Sequence, residues 1–221
     1  MRQNPSFALA DTEEIKRLIR ENPWAILVSS TPDGLVASHY PVLVDESREE
    51  LAIVTHVGRP DEQIHVLGEG ELMVIIQGPH GYISPSWYDA NPAVPTWNFT
   101  SAHLSGVPEI LGAEENLRVL ASLVDHFEDR VPEPRRMLGS PADAEYAVRI
   151  SSGTVGIRLT PTKIVAKRKL SQNRTPEIAQ SIIAHLEGDG PYASAALAAE
   201  MRRVHGPKSD FTGVGPSNAT Q

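Results

Sequence analysis

The chain of 221 residues contains no cysteine. That excludes thiol nucleophiles, Cys-ligated zinc and iron–sulfur clusters, and says little about compartment. Long apolar runs are also missing. Runs such as Leu72–Ile76 are far short of the ~20 residues that cross a bilayer, and Met1–Glu14 has no apolar stretch of a secretory signal. A soluble cytoplasmic protein with no membrane association is the expectation. Basic charge is in deficit: 20 Lys and Arg stand against 28 Asp and Glu, a net charge of −8. An acidic chain repels a phosphate backbone on average. The one basic cluster, Lys163, Lys167, Arg168, Lys169 and Arg174, suits a single bound phosphate group better than a duplex. Nucleotide and metal signatures are absent too. Gly68-Glu69-Gly70 leads into a strand rather than a helix, which speaks against a dinucleotide fold. No Walker A or H-E-x-x-H sequence occurs, and the eight His residues show no metal-ligand spacing.

Aromatic residues make up only 5% of the chain, yet residues 77–106 hold Trp87 and Trp97, two of its three Trp, and two of its five Tyr among many Pro and Gly. Such a segment can form a flat, partly polar wall for a planar ligand, or a rigid hairpin whose Trp side chains fill core. Around it, short strands and tight turns dominate. Asp11 caps a helix carrying Ile15, Leu18 and Ile19, and Asn22-Pro23 ends it. Trp24–Ser30 and Leu35–Val44 are strands joined by the turn Thr31-Pro32-Asp33-Gly34. Leu51–His56 and Glu71–Gln77 are further strands, with a short helix from Pro60 to Leu67 between them. Thr96–Leu111 holds one or two more, with Pro108 marking an edge or bulge. A helix spans Ala113–Arg130, Val131–Pro141 is a loop, and Thr154–Leu159 and Ile164–Leu170 are late strands. Thr175 caps a helix to about Glu187, and Tyr192–Val204 forms another. This order predicts an α+β fold, an antiparallel β-barrel with peripheral and C-terminal helices. Residues 1–205 are expected to form one domain and 206–221 a flexible tail.

Two short segments offer ligand chemistry. Thr55-His56-Val57-Gly58-Arg59 runs from a strand into a small-residue turn, which can cradle a phosphate or be no more than a strand-end His and a solvated Arg. Lys169-Leu170-Ser171-Gln172-Asn173-Arg174 precedes a helix and offers nearly every polar donor. Its amides can match the carbonyl and N–H edge of a flavin, and its cations can neutralise a phosphate; the alternative is a solvated loop.

The chain resembles the PaiB family, described as FMN-binding negative transcriptional regulators. The likeness rests on His80-Gly81-Tyr82-Ile83-Ser84-Pro85-Ser86-Trp87-Tyr88, on Val94-Pro95-Thr96-Trp97-Asn98-Phe99 and on Lys169–Arg174. It covers roughly residues 5–205. It implies a split β-barrel related to pyridoxine phosphate oxidase-like flavoproteins, forming a homodimer with FMN shared between subunits. It further implies the FMN phosphate near Thr55, His56, Val57 and Arg59, and the ring against Ser38, His39, Tyr40 and Pro41. Thr96, Trp97 and Asn98, with Lys169, Gln172, Asn173 and Arg174, would close over the ring. In place of the family's segment after His56, this chain has Asp61 and Glu62, negative charge where the phosphate is expected unless both point away. A flavin-dependent oxidoreductase with a small-molecule substrate or NAD(P)H is one implied function. The others are a regulator acting indirectly, without direct DNA binding, and a non-catalytic binder of flavin, haem or a similar planar ligand.

Overall fold

The computed structural model describes residues 1, 4–88 and 92–206. The expected flexible tail therefore lies, from Pro207 onward, outside the described residues. Helix α1 (Thr12–Glu21) starts where Asp11 accepts hydrogen bonds from the backbone N–H groups of Glu13 and Glu14. Strands β1 (Trp24–Thr31) and β2 (Gly34–Pro41) form a hairpin whose turn closes at Gly34, with φ +118°, a conformation that favours glycine. Next come β3 (Leu43–Val44), β4 (Ile53–Gly58), the short α2 (Arg59–His65) and β5 (Leu72–Ile83). Strands β6 (Thr96–Gly106) and β7 (Glu109–Ile110) flank Pro108, where the ladder breaks as expected. Helices α3 (Ala113–Glu128) and α4 (Pro141–Ser151) precede β8 (Thr154–Leu159) and β9 (Lys163–Lys169), and α5 (Pro176–Glu187) and α6 (Ala195–His205) complete the order.

The described residues divide into two compact units, those of 1–79 with 99–169, and those of 80–98 with 170–206. In the first unit, β1 pairs with β2 and β5, β6 with β9, β4 with β3 and β8, and β7 with β8, all antiparallel. The sheet orders are β2-β1-β5-β6-β9 and β3-β4-β8-β7. Leu27, Val74 and Leu104 of the larger sheet share one core with Ile53, Ile157 and Leu159 of the smaller, and Ile15, Leu18 and Ile19 of α1 cap it. Gly78 allows α1 to approach: a Cβ there would lie 2.6 Å from Leu18 Cδ1. Helix α3 covers the smaller sheet through Val119 and Leu123 against Val54 and Leu111. The second unit has its own core, Ile83 and Leu170 with Ile182, Ile183 and Leu186 of α5 and Leu197 and Met201 of α6.

Two differences from expectation are instructive. Helix α4 follows a segment read as loop and was not anticipated. It buries only Ala147, so its apolar residues lack the stripe that marks a packed helix. Strand β5 runs on to Ile83, past the expected end at Gln77, and Gly78 and Pro79 lie beyond Leu72–Ile75, the stretch that pairs with β1.

Candidate functional site

Side chains alternate along a strand, so the contiguous candidates on β2 and β4 divide between two faces. Ser38 and Tyr40 turn inward. Ser38 Oγ lies 3.0 Å from His65 Nε2, whose Nδ1 is 2.9 Å from Ser29 Oγ. Tyr40 Oη donates to Asp61 and accepts from the Gly58 N–H at 3.1 Å. Burial first, then the bond to Asp61, raises the Tyr40 pKa. Thr55 is buried and donates to the Pro41 carbonyl at 2.6 Å, and Val57 belongs to the core. His56 is half-buried, its ring 6.0 Å from that of Tyr40, and burial lowers its pKa. The backbone donors of the suspected phosphate turn are also engaged. Gly58 N–H serves Tyr40, Arg59 N–H donates to the Gly153 carbonyl at 3.1 Å, and Pro60 has none. Arg59 reaches the Ser152 carbonyl and Glu62. Asp61 and Glu62 thus point to Tyr40 and Arg59 and not into open space.

The outward face of the larger sheet is different. His39 stacks on Trp24, centroids 6.1 Å apart and planes 25° from parallel. Trp24 is 62% and Leu35 80% exposed. Ile26, Val28, Ile75 and Val165 lie half-buried on the same face, with Met73. At the β9 edge, Ala166 faces the core, which places Lys167 and Lys169 outward. Lys167 Nζ sits 5.5 Å from the Phe99 ring and 5.9 Å from that of Phe7. The result is a broad apolar surface with a stacked Trp–His pair at one side and two cations at the other.

The remaining candidates belong to the second unit. Asn98 is fully buried, its Nδ2 donating to Ser171 Oγ at 2.9 Å while Ser171 Oγ donates back to Oδ1 at 3.2 Å. Ser171 holds φ +63°. Gln172 Oε1 accepts from the Leu170 N–H at 2.7 Å, and the Arg174 guanidinium lies 5.0 Å from the centre of the Tyr88 ring. Much of the loop's polar inventory therefore folds the loop itself. Asn173 is exposed and Thr96 half-buried. The two Trp residues of the motif-rich segment divide between the two readings: Trp87 packs against the second core, whereas Trp97 is 54% exposed. It shares a cleft with His80, Tyr82 and Tyr192. Trp24 and Tyr192 were absent from the sequence candidates. Trp24 sits in an apolar run that reads as fully buried, and only the sheet shows which alternate residues face out. No local signal marks Tyr192.

Among the described residues no helix is long and apolar enough to cross a membrane, and none of their His, Asp and Glu side chains form a metal-binding group. The protein-family model described as "Putative FMN-binding domain" matches residues 1–163. The chain is 28% identical over 184 residues to "Protease synthase and sporulation protein PAI 2" of Bacillus subtilis, covering 83% of this chain and 87% of that protein. Its fold is similar to that of the FAD and heme binding protein from Mycobacterium smegmatis, with TM-score 0.54, 17% identity and coverage of 73% and 72%. The flavocytochrome Anf3 from Azotobacter vinelandii is comparably similar, with TM-score 0.54, 15% identity and coverage of 76% and 72%. With the antiparallel two-sheet architecture and the PaiB-like motifs, these findings establish that the chain belongs to this family of FMN-binding split-barrel proteins.

Proposed function

We propose that this protein works as a homodimer that holds FMN against the outward face of the larger sheet, and that its output is a flavin-dependent oxidoreduction. The carrying observation is the make-up of that face. Its exposed Trp24, Leu35 and Met73 and half-buried aliphatic neighbours form an apolar surface of a kind that monomers rarely leave in water. A two-fold axis through such a patch buries it against its own copy.

The residues fit the cofactor. FMN joins a flat ring, apolar at one end and lined with carbonyl and N–H groups at the other, to a phosphate. Trp24 and His39 supply a stacking edge and an imidazole hydrogen-bond group, and Lys169 supplies a cation for the phosphate. Asp61 and Glu62 do not oppose it, being engaged by Tyr40 and Arg59. Bound FMN supplies the hydride and electron chemistry. The protein's part is to orient the ring, to exclude water through the second subunit, and to present His39 to the ring's polar edge. A small-molecule substrate with NAD(P)H as electron donor is compatible with this arrangement.

The likeness to the PaiB family of negative transcriptional regulators supports a regulatory output as a second reading. With a net charge of −8 per chain, such an output would run through a metabolite or partner protein, not through direct DNA contact. Bleaching of bound flavin by NAD(P)H separates an oxidoreductase from a regulator or a passive binder.

The test of the site is FMN fluorescence quenching beside a thermal melt of each variant. Lys169→Ala should weaken FMN binding roughly tenfold to a hundredfold, the loss of one charge-assisted bond, with stability changed by no more than about 0.5 kcal/mol. Lys163→Ala, at the far end of the same strand, should bind as wild type. Wild-type affinity in Lys169→Ala, or a loss that only tracks lost stability, contradicts the assignment.

A further inference from the structure

We propose that a cleft in the second unit binds a planar, cationic nitrogen heteroaromatic ring of the pyridinium class, at a site separate from that of the flavin. The cleft measures about 480 Å3 and is walled by His80, Tyr82, Trp97, Tyr192 and Ser194, within the ~300–1,000 Å3 usual for small-molecule sites. Tyr82 is its central ring. Trp97 lies 6.5 Å from it with planes at 73°, and Tyr192 lies 4.9 Å from it at 52°. Rings set at such angles present π faces from several directions, the arrangement that surrounds a cation. Packing among the rings does not account for it: His80 stacks on one side of Trp97, centroids 6.3 Å apart, yet Trp97 and Tyr192 remain 54% and 50% exposed. Tyr192 and Ser194 also lie beyond the segment matched by the FMN-binding family, which ends at residue 163.

The ligand class follows from what lines the cleft. Among its described residues there is no Lys or Arg, so a phosphate or carboxylate finds no counter-ion. FMN, with its phosphate, is poorly suited to it. There is no Asp or Glu either, so a compact and strongly hydrated ammonium would lose its water without an ion pair in return. A pyridinium spreads its charge, is weakly hydrated, and offers a flat face to the exposed indole of Trp97. The net charge of −8 favours the approach of a cation. Ser194 Oγ accepts from the Leu197 N–H at 3.4 Å, which leaves its proton to donate to a polar ring substituent such as a carboxamide.

The test is isothermal titration calorimetry of the full chain with 1-methylnicotinamide, and with nicotinamide as the neutral counterpart, each with and without saturating FMN. The cation should bind roughly threefold to thirtyfold more tightly than the neutral ring. Tyr192→Leu should remove that preference, and Tyr146→Leu, an exposed tyrosine on α4, should retain it. Should Tyr192→Leu not fold, Trp97→Leu gives the same comparison. Equal affinity for the two ligands, absence of binding, or an unchanged Tyr192→Leu overturns the proposal. Displacement by FMN would assign the cleft to the flavin and equally overturn a separate site. The titrations without FMN do not depend on the flavin reading, so the two can fail independently.

Discussion

His65 is buried between two hydroxyls, Ser29 and Ser38, and burial lowers its pKa against a smaller opposing pull from Asp61. In the unfolded chain the same imidazole takes a proton near its ordinary value of 6.5. The unfolded state therefore binds more protons below that pH. The stabilising contribution of the neutral ring is present above it and is lost as pH falls through the lower folded value. Melts recorded from about pH 8 down to about pH 5 should show a falling midpoint, and His65→Gln should flatten part of that fall. At neutral pH the variant should cost about 1–3 kcal/mol, because the buried Ser29 hydroxyl and the half-buried Ser38 hydroxyl lose the imidazole between them. An unaltered pH profile in His65→Gln would show that the ring titrates alike in both states. At this scale the sequence was legible in residue types but not in facing. Ser38, His39, Tyr40 and Pro41 are contiguous in the chain, yet the pleat sends Ser38 and Tyr40 to the core and His39 outward. The amide of Asn98, chemically suited to a flavin, is consumed by Ser171, 73 positions away.

The elements whose chemistry is local were the readable ones. Asp11 and Thr175 cap α1 and α5 as their spacing predicts, and the Thr31–Gly34 turn sets the β1–β2 register. Helix α4 escaped because its apolar residues face solvent, though Ser140 capping the Asp143 N–H is a start signal visible in the sequence. What joins elements was not readable at all. Arg158 on β8 is buried and bonded to Asp45 after β3 at 2.6 Å, to Glu109 on β7 at 3.0 Å, and to Glu115 on α3. Burial opposes its charge, but the three carboxylates prevail and its pKa is raised. Burial likewise pushes Asp45 up, and the hydrogen bonds of Ser47 and Arg158 outweigh it to leave the carboxyl below its ordinary value. Arg158→Ala should cost about 3–5 kcal/mol in chemical denaturation, since Asp45 would be left buried without its partner. Asp45→Ala added to it should recover part of that loss. Simple additivity of the two would show that the pair is not coupled.

At the scale of the molecule, the family, the antiparallel fold and the cofactor class were legible because three motifs stand in order along one chain. The sheet face proposed for a second subunit was not, since an apolar strand packed in a core and one left half-exposed have the same composition. Trp24, Ile26 and Val28 alternate with Ala25 and Leu27, and nothing in β1 itself says that only the second set packs into the core. The central claim is that two chains cover this sheet face and bind FMN on it. Sedimentation equilibrium of the FMN-loaded protein, followed through the flavin's visible absorbance, tests both parts together. The account predicts flavin sedimenting at twice the chain mass, one per chain, and Leu35→Lys shifting it toward free flavin and monomeric protein. Flavin carried by a monomer, or a dimer indifferent to Leu35→Lys, would contradict it.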